Sequence, residues 1–131
     1  MNDIHNILKR VILCFIAIFS SIYICAQDST KVKSVTNSEF EKLIQSENVI
    51  ILDVRTPKEF NEGHIPNALN IDYRSDDFLK NIKELNKNKT IAVYCRSGGR
   101  SKLAAKKLID SGFNVFELNK GIMNWSGEIS K

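Results

Sequence analysis

The pattern of apolar and polar positions along the chain predicts alternating strands and helices. Five apolar or β-branched runs are too short for helices and predict strands: Val32 to Val35, Val49 to Val54, Ala68 to Ile71, Thr90 to Tyr94 and Val115 to Leu118. The second run is apolar almost without interruption, which is typical of a strand covered on both faces.

Helices are predicted in the segments between these runs. The first predicted helix follows the capping box of Thr36 and Glu39, and the second begins at Pro57. The third extends from Asp76 to Leu85, and the fourth follows the loop that ends at Arg100. The third helix is expected to turn four apolar residues inward: Phe78, Leu79, Ile82 and Leu85. Strands that alternate with helices predict an α/β domain, in which a mostly parallel central sheet has helices on both faces.

The first 26 residues differ from the rest of the chain. Lys9 and Arg10 precede an uncharged apolar run that continues to Ile24, and the small residue Ala26 follows. This order is typical of a secretory signal peptide, and the run is shorter than the about 20 residues that a membrane span needs. We therefore expect a signal peptide over residues 1–26, export to the periplasm, and a mature domain of residues 27–131.

Two other fates of this segment stay open. Cys25 could be a lipid-attachment site, although Ile24 is bulkier than the residue such sites prefer, or the segment could remain as an uncut membrane anchor. All three fates export the domain. Once the segment is removed, Cys95 is the only cysteine, so the thiol is either free or paired between molecules.

Charge and composition exclude several classes of function. The net charge is +4 at pH 7, and the lysines are scattered rather than clustered with aromatic residues, so we expect no nucleic-acid partner. Cysteine and histidine residues do not occur at metal-ligand spacing, so we expect no metal site. The length of 131 residues corresponds to one domain, which we expect to be a monomer.

The segment after the fourth predicted strand carries the candidate chemistry. Cys95 lies where the strand ends, and a loop with Gly98 and Gly99 connects it to the start of a helix. Helix N-termini and nearby cations, here Arg96 and Arg100, lower the pKa of a thiol. The glycines would let the loop's N–H groups form an anion nest. We therefore predict a reactive thiolate that faces an anionic substrate; the alternative is a buried cysteine before an ordinary loop.

Three motifs follow one another along the mature chain. The first extends from Asp53 to Ala68, the second is the loop from Cys95 to Arg100 with Ser101 after it, and the third is Gly121 followed by Trp125. Together they resemble the single-domain rhodanese family of sulfurtransferases, whose first signature is D-x-R-x-x-x-E-[FY]-x-x-G-H-I-P-G-A. The resemblance implies a rhodanese-like three-layer fold.

The resemblance also implies covalent sulfur transfer without a metal or an organic cofactor. Cys95 would take a sulfane sulfur from a small anionic donor such as thiosulfate and hold it as a persulfide. A thiophilic acceptor would then remove it: cyanide, a thiol or a protein. Substrate binding is assigned to the loop that follows the cysteine: Arg96, Ser97, Gly98, Gly99, Arg100 and Ser101.

Several residues are expected to serve the structure of the domain. Asn67 and Lys120 replace glycines of the family pattern; asparagine tolerates a left-handed turn, whereas lysine leaves the shape of the C-terminal turn open. A polar network of three residues is expected near the site: Asp53, Arg55 and Glu59. We expect His64 in a packing turn, Trp125 in the core and Arg74 in solvent.

Other functions remain as alternatives. Tyrosine phosphatases, some of which share the rhodanese fold, have a C-x5-R loop around a tetrahedral phosphate, whereas Cys95 and Arg100 define a shorter C-x4-R loop. The shorter loop favours sulfur over phosphate or arsenate chemistry. A persulfide carrier or a redox-sensing binding module would have the same sequence features as an enzyme.

Overall fold

A computed structural model describes residues 3–12 and 31–131. Residues 3–12 form helix α1. No helix within the described ranges combines the length and the apolar character that a membrane span requires. Most of the predicted signal peptide, with Cys25 and the expected cleavage site after Ala26, lies outside the described residues.

Five strands form a single sheet. Their bounds are Lys33–Val35 (β1), Val49–Asp53 (β2), Leu69–Asn70 (β3), Thr90–Tyr94 (β4) and Val115–Leu118 (β5). The strand order is β1-β5-β4-β2-β3, and every neighbouring pair is parallel. The carboxyl ends of the strands therefore meet at one edge of the sheet, where ligands bind in open α/β folds.

Helices connect the strands at the positions that the sequence predicts. They are α2 (Asn37–Leu43), α3 (Pro57–Glu62), α4 (Phe78–Lys83) and α5 (Gly99–Asp110), and a 3-10 helix follows β5 (Ile122–Asn124). Helices α2 and α3 both begin with a complete capping box, in which a threonine and a glutamate three residues later satisfy each other's backbone N–H groups.

The core consists of two clusters, one on each face of the sheet. Side chains alternate along β4, so Ile91 and Val93 pack with α4 and α5, whereas Ala92 and Tyr94 pack with Phe40 of α2. A sheet with helices on both faces makes three layers. The predicted α/β architecture is confirmed.

The prediction for α4 was wrong in its length and in one inward residue. The helix extends over Phe78–Lys83 rather than Asp76–Leu85, and Leu79 is 48% exposed. Phe78 and Ile82 are one helical turn apart and define the buried face of this short helix. Leu79 is rotated about 100° around the helix axis from Phe78 and about 60° from Ile82, so it lies outside the buried face.

Candidate active site

Cys95 occupies the position that β4 and α5 define together. It follows Tyr94 at the carboxyl end of β4, and its side chain is buried. The N–H group of Gly98 donates to Sγ at 3.2 Å, and the thiol donates to Ser101 Oγ at 3.4 Å. The first turn of α5 therefore faces the sulfur, as predicted.

Two opposing effects act on the Cys95 thiol. Burial raises its pKa, because an anion is less stable away from water. Hydrogen bonds from the Ser101 side chain and from the backbone of Ser101, Gly98 and Ser97 lower the pKa by a larger amount. The pKa therefore lies below the ordinary value for cysteine, which favours the nucleophilic thiolate.

Only one of the two loop glycines adopts a conformation that favours glycine. Gly98 has a φ of 104° and is the N-cap of α5, whereas Gly99 is the first residue of the helix and has no positive φ. A Cβ atom on Gly99 would meet nothing within 4 Å. Of the two glycines expected to free the loop backbone, Gly98 is therefore the one that turns it.

The turn after β5 fixes the start of the cysteine loop. The N–H groups of Ile122 and Met123 donate to the carbonyl oxygens of Cys95 and Arg96 at 2.9 and 3.0 Å. A Cβ atom on Gly121 would lie 2.6 Å from the Cys95 carbonyl oxygen, so only glycine fits there. Lys120 is left-handed with a φ of 63°, and the turn thus forms despite the lysine that replaces glycine.

The two arginines of the loop have different surroundings. Arg96 is exposed. Arg100 forms a bidentate ion pair with Glu59 of α3, at 2.7 and 2.8 Å. This pair raises the pKa of Arg100, with a smaller contribution from the charge of Cys95. The guanidinium of Arg100 is therefore already engaged by Glu59.

The expected polar network is divided into two ion pairs. Asp53 and Arg55 are buried and 2.7 Å apart, and Arg55 also donates to the carbonyl oxygen of Gly63 at 2.6 Å. Glu59 makes its ion pair with Arg100 instead of with these residues. The expected three-residue network was therefore wrong in its third member.

The remaining predicted structural residues have structural contacts. Asn67 has a φ of 65°, which confirms the left-handed turn. His64 stacks on Phe60 with ring centroids 3.8 Å apart, as expected of a packing turn. Trp125 packs edge-on against Phe40, and Arg74 is exposed.

Sequence reasoning missed one charged residue beside the cysteine. Glu117 of β5 is completely buried, and Ser101 donates to its Oε1 at 2.8 Å. Ser34 of β1 donates to its Oε2. An acidic residue in the middle of an apolar strand, two positions after the buried Val115, is the signal that could have identified it.

In a parallel α/β sheet, a cysteine that follows a strand and faces the first turn of a helix is typical of proteins with a nucleophilic cysteine. The model of the Rhodanese-like domain family matches residues 36–128. The chain therefore belongs to the rhodanese-like family, which confirms the resemblance.

Individual relatives agree with this assignment. A protein of Allochromatium vinosum named sulfurtransferase is 34% identical, over 66% of this chain and 79% of its own. The uncharacterized protein YibN of Escherichia coli K12 is 32% identical, over 95% and 87%. A rhodanese-related crystal structure from Thermoplasma volcanium has a TM-score of 0.68 and 29% identity, over 75% and 97%. These comparisons support sulfur transfer at the level of the family.

Proposed function

We propose that the protein is an exported sulfurtransferase that carries a sulfane sulfur as a persulfide on Cys95, with thiosulfate as a donor. The observation that carries the proposal is the contact of Cys95 Sγ with the N–H group of Gly98, at 3.2 Å. An anionic sulfur is stabilised there by an oriented backbone dipole.

The proposed reaction has two displacement steps. The Cys95 thiolate attacks the outer sulfur of thiosulfate; a new S–S bond forms, the S–S bond of the donor breaks, and sulfite leaves with the electron pair. A nucleophilic acceptor such as cyanide then attacks the terminal sulfur, and the thiolate of Cys95 is regenerated. The exposed cation of Arg96 is suited to attract the anionic donor.

Phosphate chemistry is less well supported. A phosphatase needs its loop arginine for the phosphoryl oxygens, whereas both terminal nitrogens of Arg100 contact the Glu59 carboxylate. The loop from Cys95 to Arg100 is also one residue shorter than the C-x5-R loop of phosphatases. Both features favour a sulfur-sized substrate.

Export is proposed from the sequence of residues 1–26. The basic pair Lys9 and Arg10 before the apolar run supports it. Mass analysis of the N-terminus of the protein from a periplasmic fraction tests this part. We expect a chain that begins at Gln27. An acylated Cys25 or an intact Met1 in the membrane fraction would indicate an anchor. An intact chain in the cytoplasm would refute export.

The sulfur-transfer proposal is tested with the full chain and a Cys95→Ser variant. After incubation with thiosulfate, digestion with trypsin without reductant releases the peptide Thr90–Arg96, which contains Cys95 alone among the cysteines. We expect this peptide to gain one sulfur atom, and cyanide to remove it as thiocyanate. The variant should gain none.

Other outcomes would change the assignment. A stable persulfide that cyanide cannot remove would indicate a carrier for a protein acceptor. The absence of a persulfide, together with hydrolysis of phosphate esters or reduction of arsenate, would replace sulfur transfer by the rival chemistry. The absence of both would leave a binding or sensing module.

A further inference from the structure

Glu117 is the buried carboxylate on the α5-facing side of β5. Its side chain has no exposed surface, and two hydroxyl groups donate to it: Ser101 to Oε1 at 2.8 Å, and Ser34 to Oε2. Ser101 in turn lies 3.4 Å from Cys95 Sγ. A continuous hydrogen-bonded path therefore links the nucleophile to a buried acid.

No lysine or arginine among residues 3–12 and 31–131 lies within 4.0 Å of this carboxylate. A buried carboxylate without a cation is costly, and two hydroxyl donors offset only part of the cost. Nearby, a Cβ atom on Gly98 would lie 3.4 Å from Glu117 Oε1 and 3.7 Å from Lys102 Nζ. A buried carboxylate that is joined by hydrogen bonds to a nucleophile is a candidate for a functional role.

Ser101 has one hydroxyl proton and two neighbours that can accept it. While Cys95 is a thiol, the thiol donates to Ser101 and Ser101 donates to Glu117. When Cys95 is a thiolate, the Ser101 proton can be donated to the sulfur, and the carboxylate then keeps only the Ser34 donor at Oε2. The Ser101 hydroxyl cannot donate to both anions at the same time.

We propose that Glu117 is a positioning residue that accepts, through the Ser101 hydroxyl, the proton that Cys95 loses when it becomes the nucleophile. The S–H proton moves to Ser101 Oγ as the Ser101 O–H proton moves to Glu117 Oε1. The products are a thiolate and a neutral carboxylic acid, with the hydroxyl reversed so that it donates to sulfur. One negative charge moves from Glu117 to Cys95, and no bond between heavy atoms changes.

The other charged groups around this path are few. On α5, Arg100 is held by Glu59, and the Lys102 ammonium group lies near Gly98. On β1, Lys33 lies over the ring of Phe116, whose side chain alternates with that of Glu117 along β5. Helix α2 packs through Phe40 on the opposite face of the sheet. The hydrogen bonds through Ser101 are therefore the contacts that link Cys95 to Glu117.

The role of Glu117 rests on Cys95 being the nucleophile of the proposed function, so its test does not use sulfur transfer. The rate at which iodoacetamide alkylates Cys95 in the full chain is followed from pH 5 to 9 through the tryptic peptide Thr90–Arg96. Iodoacetamide is neutral and reacts with the thiolate, so its rate reports the thiolate fraction.

The wild type is expected to show two steps with a plateau between them, because the pair keeps one shared proton over that range. Glu117→Gln, which preserves the shape, should show a single step and lose about tenfold in rate for each pH unit below it. Ser101→Ala should give the same single step, since the path is interrupted.

Ser34→Ala is the control, because it removes a donor to Glu117 and leaves the path to Cys95 in place. It should keep the two-step profile. A single step in the wild type that coincides with that of Glu117→Gln would overturn the proposal, as would two steps in Ser101→Ala. Circular dichroism over the same pH range shows whether each variant is folded. Persulfide formation without the two-step profile would refute only the role of Glu117.

Discussion

At the scale of single residues, the site depends on the conformation of Gly98. Its N–H group reaches Cys95 Sγ because the residue is left-handed, with a φ of 104°. This donor contributes to the lowered pKa of a thiol whose burial acts in the opposite direction. The adjacent Gly99 has helical geometry and open space around its Cα. The two glycines therefore form a matched pair for a test.

Gly98→Ala is expected to lower the free energy of unfolding by about 1–3 kcal/mol, the usual cost of a strained backbone conformation. It should also slow persulfide formation, because relief of the strain moves the N–H group away from sulfur. Gly99→Ala should be neutral or stabilising by up to about 1 kcal/mol, since alanine favours helices. Urea unfolding and the rate of sulfur loading measure both effects. Equal losses of stability and of sulfur-loading rate in the two variants would contradict the special role of Gly98.

At the scale of elements, local patterns predicted most of the fold. Strands β4 and β5 have the predicted bounds, because short apolar runs between polar segments have few alternatives. The capping box of Thr36 and Glu39 and the proline at the start of α3 placed two helix starts correctly. These signals act between residues that are close in sequence, so the sequence shows them directly.

The predictions for individual elements were wrong or incomplete where tertiary packing determines helix length and side-chain contacts. A stripe of four apolar residues fits an ideal helix over residues 76–85, yet α4 is too short to bury Leu79 as well as Phe78. Likewise, the pattern of β5 predicted the strand without predicting what Glu117 contacts. Its donors lie on β1 and α5, and no local pattern pairs those elements.

At the scale of the whole molecule, the cysteine loop is held by residues far away in the chain. Arg100 at the start of α5 is bound by Glu59, which is 41 residues earlier. The same glutamate completes the capping box of Thr56 at the start of α3. One carboxylate therefore fixes two helix N-termini at the edge of the sheet. The predicted polar network missed this link, because the sequence gives no indication of which arginine a glutamate reaches.

This link predicts how stability depends on pH. Hydrogen bonds from Arg100 hold the pKa of Glu59 well below its usual range. The ionised Glu59 therefore stabilises the folded state fully above the unfolded-state pKa of about 4.3, and this contribution is lost as the pH falls below that value. Glu59→Gln keeps a capping side chain and loses the ion pair, and should lower the free energy of unfolding at pH 7 by about 1 kcal/mol. The difference in the free energy of unfolding between the wild type and Glu59→Gln should shrink as urea unfolding is repeated from pH 5 towards pH 3.

Glu39→Gln provides the comparison for this prediction. Glu39 completes the same kind of capping box with Thr36, but no arginine or lysine in the described part of the chain forms a salt bridge with it. Its replacement should therefore cost less at pH 7 and change less with pH. If the two variants lost the same stability with the same pH dependence, the capping box alone would account for Glu59. A larger loss in Glu59→Gln would show that the ion pair with Arg100 stabilises the domain at the edge that holds Cys95.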